Sequence, residues 1–434
     1  MTVATAVDVL PRRMAGWAAR RSLAPNALTG IALACGLCAA AWFTAGTRLD
    51  AVAGGLALCA GYLARRVRTQ LVAAGGGAAV AAASTAMSAG FEGWLASVGA
   101  AVGELAVYAG LAAGAWVTQR HGIWLLATEA AIMLSIRQVA RVGQPGLGQP
   151  GRGQHARVTA VAPRSSLSLL AGRFLALPTG ARTIVIVMTA PLWGARTTFL
   201  ALIIWGAAAA AWQIARSVWM SSRAGSSPGL SPGGVAAGGW IAGARDDGPA
   251  ARLAGQLVRG QLVPLPPALA GLAAVGLLAV LGLGNLTGLL ALAPVAAMLL
   301  AAPGASHPHD GRLDWLVPLV LQGAQYIYLA AIGFSAGVPG PVTFWLISVV
   351  ALRQLDVACR ARQQAGAGAA GWPTQPSGLG WDGRLLVVGL AALLGFVTFA
   401  YLALAAYLGF LLCRSVLSGW LVVREPYLSE GDRR

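Results

Sequence analysis

Two kinds of residue in this sequence are equipped to act on a phosphate: arginines at the ends of apolar runs, and a few acids inside such runs. The stretch A-L-C-A-G-Y-L-A-R, Ala57 to Arg65, closes an apolar run on a small-residue turn, and Arg65, Arg66 and Arg68 follow with no acid beside them. Guanidinium groups grip phosphate oxygens with a planar pair of donors. Arg65, framed by Gly61, therefore forms a candidate phosphate or nucleotide pocket with Arg137 and Arg141, which follow a later run, and Arg182, which precedes the next. The same arginines also read as loop charges that set membrane topology. Glu104 and Glu129 lie inside apolar runs, where a carboxylate is costly unless it pairs with an arginine or serves a metal or a reaction.

Three further groups have chemical potential. Asp356 stands between Arg353 and Arg360 at helical spacing, which reads as a neutralised ion cluster, with a polar substrate contact as the alternative. The loop H-P-H-D, His307 to Asp310, has metal-ligating residue types, yet a Pro-rich hairpin explains it equally well. Cys35 and Cys38 form a C-G-L-C pair with no second pair at zinc-site spacing, so small residues packing in a helix is the expected reading.

The elements that carry these residues are membrane helices. The 434 residues are 57% hydrophobic and 10% charged, with a mean hydropathy of +0.69, which excludes a water-soluble globular domain. Runs of helical length without strand alternation give an all-α polytopic protein rather than a barrel. The net charge of +17 comes from arginine alone, because there is no lysine. Placed in short loops, these arginines point to topology and anionic lipid, not to nucleic acid. They put the N-terminus on the cytoplasmic side of a bacterial inner membrane, the arginine, Ala and Gly bias suggesting a GC-rich bacterial gene. Residues 1–25 are basic and weakly amphipathic and are expected at the interface. No cleavable leader is expected, since Asp8, Arg12 and Arg13 precede any long apolar segment.

Spans are predicted at 26–45, 51–64, 93–117, 122–138, 183–195 and 197–215, within a first membrane domain of 26–215. A flexible linker, 216–263, holds S-S-P-G-L-S-P-G-G, and a second domain, 264–423, holds spans at 264–283, 286–303, 314–336, 340–360 and 385–412 before a tail, 424–434, the run 385–423 reading either as one helix with an interfacial segment or as two short helices. Loops are expected at 142–180 and 363–380. The Gly- and Ala-rich 71–90 is long enough to span but poor in Leu and Ile, and is expected to be a loop or re-entrant insertion.

On these residues the sequence resembles the CDP-alcohol phosphatidyltransferases, membrane enzymes of phospholipid synthesis with the pattern D-x-x-D-G-x-x-A-R-x8-G-x-x-x-D-x-x-x-D. Gly61, Ala64 and Arg65 are kept, and Pro25, Asn26 and Thr29 look like the opening of the family's first span. Gly93 to Ala112 looks like the third helix of one bacterial branch, in which a glutamate, here Glu104, accompanies the last two aspartates. The four aspartate positions fall on Ala57, Ala60, Ala96 and Ala100, the spacer after Arg65 is far longer than eight, and the family glycine falls on Glu92 with Gly93 one place late. The resemblance implies a six-helix bundle. In the family the aspartates hold Mg²⁺ or Mn²⁺ on the pyrophosphate of a CDP-linked lipid, and one activates the incoming hydroxyl. With those ligands missing, no metal cofactor is expected here. The distal half, through Arg245 to Arg252, the Asp356 helix and Gly378 to Val388, resembles an uncharacterised domain that follows the phosphatidyltransferase domain in some bacterial proteins.

The expectation is a degenerate family member that binds a membrane lipid, CDP-linked or anionic, or a partner, with a homodimer and another membrane protein both open. Against it stand an active phosphatidyltransferase using Glu104 and, from span count and two-half organisation, a multi-span transporter. The carboxylate count favours the first.

Overall fold

The structure is a computed structural model and describes residues 3–75, 86–116, 122–143, 179–223, 243–258, 263, 265–281, 288–303, 314–367 and 378–431. Among these it is all-helical. In order come α1 (Val3–Arg20), α2 (Pro25–Thr44), α3 (Arg48–Gly75), α4 (Ala86–Trp116), α5 (Ile123–Gly143), α6 (Thr179–Arg223), α7 (Pro249–Val258), α8 (Leu265–Leu281), α9 (Ala293–Leu299), α10 (Val317–Ser335), α11 (Gly340–Ala367), α12 (Gly380–Leu394) and α13 (Val397–Gly431). Seven of them, α2, α4, α5, α6, α10, α11 and α13, contain stretches long and apolar enough to cross a membrane. The chain divides into two units at 130/131, 144/145 and 216/217.

In the first unit α2 packs against both α3 and α4. Small residues allow the approach: a methyl at Gly36 would lie 3.1 Å from the Gly103 Cα of α4, and one at Gly61 would lie 3.0 Å from the Cys35 Cβ of α2. Close backbone contact through Gly and Ala is how helices associate where lipid offers no hydrophobic drive. Ala15 and Ala18 of α1 bury against Leu28 and Val67, while Arg12, Arg13 and Arg20 stay exposed, as an interfacial basic helix requires.

The segment 71–90 does not make a helix of its own in the described part: 71–75 end α3 and 86–90 begin α4, while 76–85 lie outside the described residues. The predicted spans 183–195 and 197–215 are the two arms of α6, broken at Gly194, whose φ of 81° is left-handed, three residues after Pro191. Thr189 Oγ1 donates to Thr198 Oγ1 at 2.8 Å. In a straight helix residues nine apart stand about 13 Å apart along the axis, so the arms fold back on each other.

The second unit has its core between α8, α10, α11, α12 and α13. The predicted span 385–412 is two helices, because Gly395 takes φ 78° and closes α12 before α13 starts at Val397. The predicted span 286–303 is a 3₁₀ turn, Gly288–Ala291, followed by the seven-residue α9. Within the segment read as a flexible linker, 243–258 are folded and include α7.

Candidate anion-binding cleft

Three helix faces of the first unit, each reading i, i+3 or i+4, converge on a cleft of about 260 Å³. From α2 come Thr29, Ala32 and Leu33; from α3, Arg65, Arg68 and Thr69; from α4, Gly93, Ala96, Ser97, Gly99 and Ala100. Of the stretch Ala57 to Arg65 only Arg65 lines the cleft, and of Gly93 to Ala112 the lining includes Ala96 and Ala100. Ala57 and Ala60 are not among the lining residues; Ala57 is half-buried and Ala60 exposed. Gly61 serves packing, letting α3 approach α2.

The arginines supply the charge. Arg68 donates from Nη2 to the Glu92 carbonyl at 3.1 Å, and the Glu92 carboxylate attracts it. Asn26 Nδ2 donates to that carboxylate at 3.4 Å. Arg65 is attracted by Glu104 and repelled by Arg182. The Nε atoms of Arg65 and Arg68 are buried without a hydrogen-bond acceptor among the described residues. The hydroxyls are otherwise engaged: Thr69 Oγ1 donates to the Arg65 carbonyl at 2.9 Å, and Ser97 Oγ to the Gly93 carbonyl at 2.8 Å. Donors for an anion in the cleft are therefore guanidinium groups.

Of the four arginines proposed from sequence, Arg65 and Arg182 meet around Glu104. Arg182 Nε lies 2.9 Å from Glu104 Oε1, an ion pair by separation and charge rather than through an aligned N–H. Tyr108 OH donates to the same oxygen at 3.3 Å. Arg137 is buried in the part of α5 that belongs to the second unit, and the side chain of Arg141 lies outside the described residues. Glu129 is half-buried on α5. Sequence reasoning noted Arg68 only as one of a run and left Thr69 and Ser97 aside; their signal was the i, i+3, i+4 offset from Arg65 and Gly93. No group of three or more His, Cys, Asp or Glu suited to a metal occurs among the described residues, and His307 to Asp310 lie outside them.

The second unit holds buried ionic layers. Asp356 takes Arg353 Nη1 at 2.6 Å, Arg360 Nε at 2.7 Å and the Ser415 hydroxyl at 3.1 Å, an ion cluster at the spacing the sequence implied but with two guanidinium groups on one carboxylate rather than a neutral pairing. The motifs R-D-D-G and G-L-G-W-D-G-R dock on each other across 134 positions of sequence. Asp382 accepts from the Gly248 N–H at 2.7 Å and the Ala251 N–H at 3.0 Å, capping α7. Trp381 Nε1 donates to Asp247 at 2.8 Å, and Arg384 Nη2 meets Asp246 at 2.5 Å. Leu379 and Asp246 both take positive φ to make the fit.

The fold and its apolar helices define a polytopic all-α membrane protein with a basic cleft in its first unit. Residues 235–430, within the second unit, match a family described as of unknown function, DUF5941. No curated protein and no solved structure matches the chain.

Proposed function

We infer that the first unit is a phosphate-binding lipid module on a phosphatidyltransferase-like frame, working without a metal and without transfer chemistry. The observation that carries this reading is the cleft itself: among the described residues its lining holds Arg65 and Arg68 beside Ala96 and Ala100 and includes no Asp or Glu, so it offers guanidinium donors and no acidic ligand for a cation. Glu104, on which a non-standard transfer reaction would rest, is engaged with Arg182 and Tyr108. A hard cation needs several oxygen ligands, and a pyrophosphate leaving group needs its charge neutralised, which two arginines alone do poorly. The ligand is a membrane phospholipid with an anionic headgroup. It enters at the end of the unit where basic α1 packs beside Val67, in keeping with a cytoplasmic N-terminus at a bacterial inner membrane.

The test is lipid retention by the full chain in neutral-detergent micelles, read by native mass spectrometry with EDTA present. Phosphatidylglycerol is expected to stay bound in preference to phosphatidylcholine, and Arg65→Ala with Arg68→Ala to abolish the preference. Retention that needs Mg²⁺ or Mn²⁺, or that survives loss of both arginines, contradicts the reading.

A further inference from the structure

We propose that the cleft selects ligands carrying one negative charge, a phosphodiester rather than a phosphomonoester or a pyrophosphate, and that Glu92 sets this selectivity. The inference rests on the reading of the cleft as a phosphate site and adds the charge class of its ligand.

Among the described residues, five charged side chains act on the cleft. Arg65 and Arg68 line it, and Arg182 and Glu104, which are not among the lining residues, act on Arg65 electrostatically. Glu92 acts on Arg68 through its carboxylate while its carbonyl holds the same guanidinium at 3.1 Å. Three guanidinium groups against two carboxylates leave one positive charge. The remaining lining residues, among them Thr29, Leu33, Thr69, Ala96, Ser97 and Ala100, are uncharged and balance none of it. In a partly enclosed cleft an unpaired charge is costlier than in bulk water. A phosphodiester brings one negative charge and leaves the site neutral. An ionised phosphomonoester or a pyrophosphate leaves at least one negative charge unpaired. Size agrees: about 260 Å³ is below the roughly 300–1,000 Å³ typical of sites for drug-sized ligands, enough for a headgroup and short of a nucleotide diphosphate.

Glu92 is the adjustable member. Glu104 is nearly buried and neutralised by Arg182, whereas Glu92 is half-exposed, with Asn26 Nδ2 at 3.4 Å as its side-chain donor. It also stands at the position where the sequence pattern expects a glycine. Removing its charge raises the surplus to two and suits a doubly charged phosphate.

The full chain in neutral-detergent micelles, with EDTA at about pH 8 so that a phosphomonoester of second pKa near 6 is doubly charged, is titrated with three probes: short-chain phosphatidylglycerol, short-chain phosphatidic acid and water-soluble glycerophosphoglycerol. Phosphatidylglycerol is expected to bind about tenfold tighter than phosphatidic acid, and Glu92→Gln to abolish or invert that ratio. Arg68→Gln, which removes the surplus, is expected to weaken both lipids. Glycerophosphoglycerol binding as well as phosphatidylglycerol supports the charge assignment with a soluble phosphodiester as source; binding of the lipid alone supports it with a headgroup as source. Equal affinity for the two lipids in the natural protein, or a ratio unmoved in Glu92→Gln, overturns the inference and leaves the phosphate reading standing. Failure of all three probes to bind overturns both.

Discussion

Glu104 on α4 and Arg182 on α6 meet at 2.9 Å with side chains 9% and 6% exposed, so this carboxylate, one helical turn beyond Ala100, is committed to a cation of its own chain. A buried ion pair is a poor source of net stability, but it is costly to break from one side, because the remaining charge is left in low dielectric. The pair also brings Arg182 near Arg65, and with it the repulsion that an anion in the cleft relieves.

Glu104→Gln should therefore destabilise the first unit by about 3–5 kcal/mol, the usual cost of stranding one partner of a buried pair. Thermal unfolding in detergent reads this as a lowered midpoint. The double replacement Glu104→Leu with Arg182→Met should restore most of the loss, and a double variant no better than the single one would show that the pair is not what holds these side chains.

Helix approach gives a second prediction. Gly36→Leu drives a side chain into the α4 backbone at Gly103 and is expected to cost about 1–3 kcal/mol by overpacking. Gly30→Ala, on the same helix with nothing within 4 Å of the new methyl, should be neutral or slightly stabilising through helix propensity. The difference in unfolding midpoint between the two variants is the quantity to measure.

In the second unit, Asp382→Ala leaves the Gly248 and Ala251 amides without their acceptor and should cost about 1–3 kcal/mol. The expected signature is local: hydrogen exchange should rise first at the start of α7 and around Trp381, with α2 to α4 unchanged.

Charge in the cleft can be reversed directly. Ala96→Asp places a carboxylate opposite Arg65 and Arg68 and should weaken phosphatidylglycerol binding in EDTA by about tenfold or more, a loss of roughly 1.4 kcal/mol per decade. Binding by Ala96→Asp equal to that of the natural protein would show that the headgroup sits elsewhere.

Much of this fold was legible in residue order because lipid imposes a simple rule: apolar runs of about 20 residues must be helices. The Asp356 cluster was equally legible, since Arg353 and Arg360 lie one turn either side of it on one helix. Breaks were harder. Gly395 and Gly194 interrupt apolar runs by taking left-handed φ, yet they look like the many glycines that pack within helices. Arg245 to Gly248 read as linker because its order comes from Asp382 and Arg384, more than 130 residues away. The cleft was half visible: Arg65 and the alanines stood out against the family pattern, while Arg68 and Glu92 join it through one carbonyl contact between α3 and α4 that no spacing foretells.

The most direct test of the central claim, that the phosphatidyltransferase-like frame binds phosphate without transferring it, is cation-dependent CMP release. The purified full chain in micelles is given CDP-diacylglycerol, glycerol 3-phosphate or another small alcohol, and Mg²⁺ or Mn²⁺. The account predicts no release above the protein-free rate with either ion. Robust release that requires the cation and disappears in Glu104→Ala would contradict it.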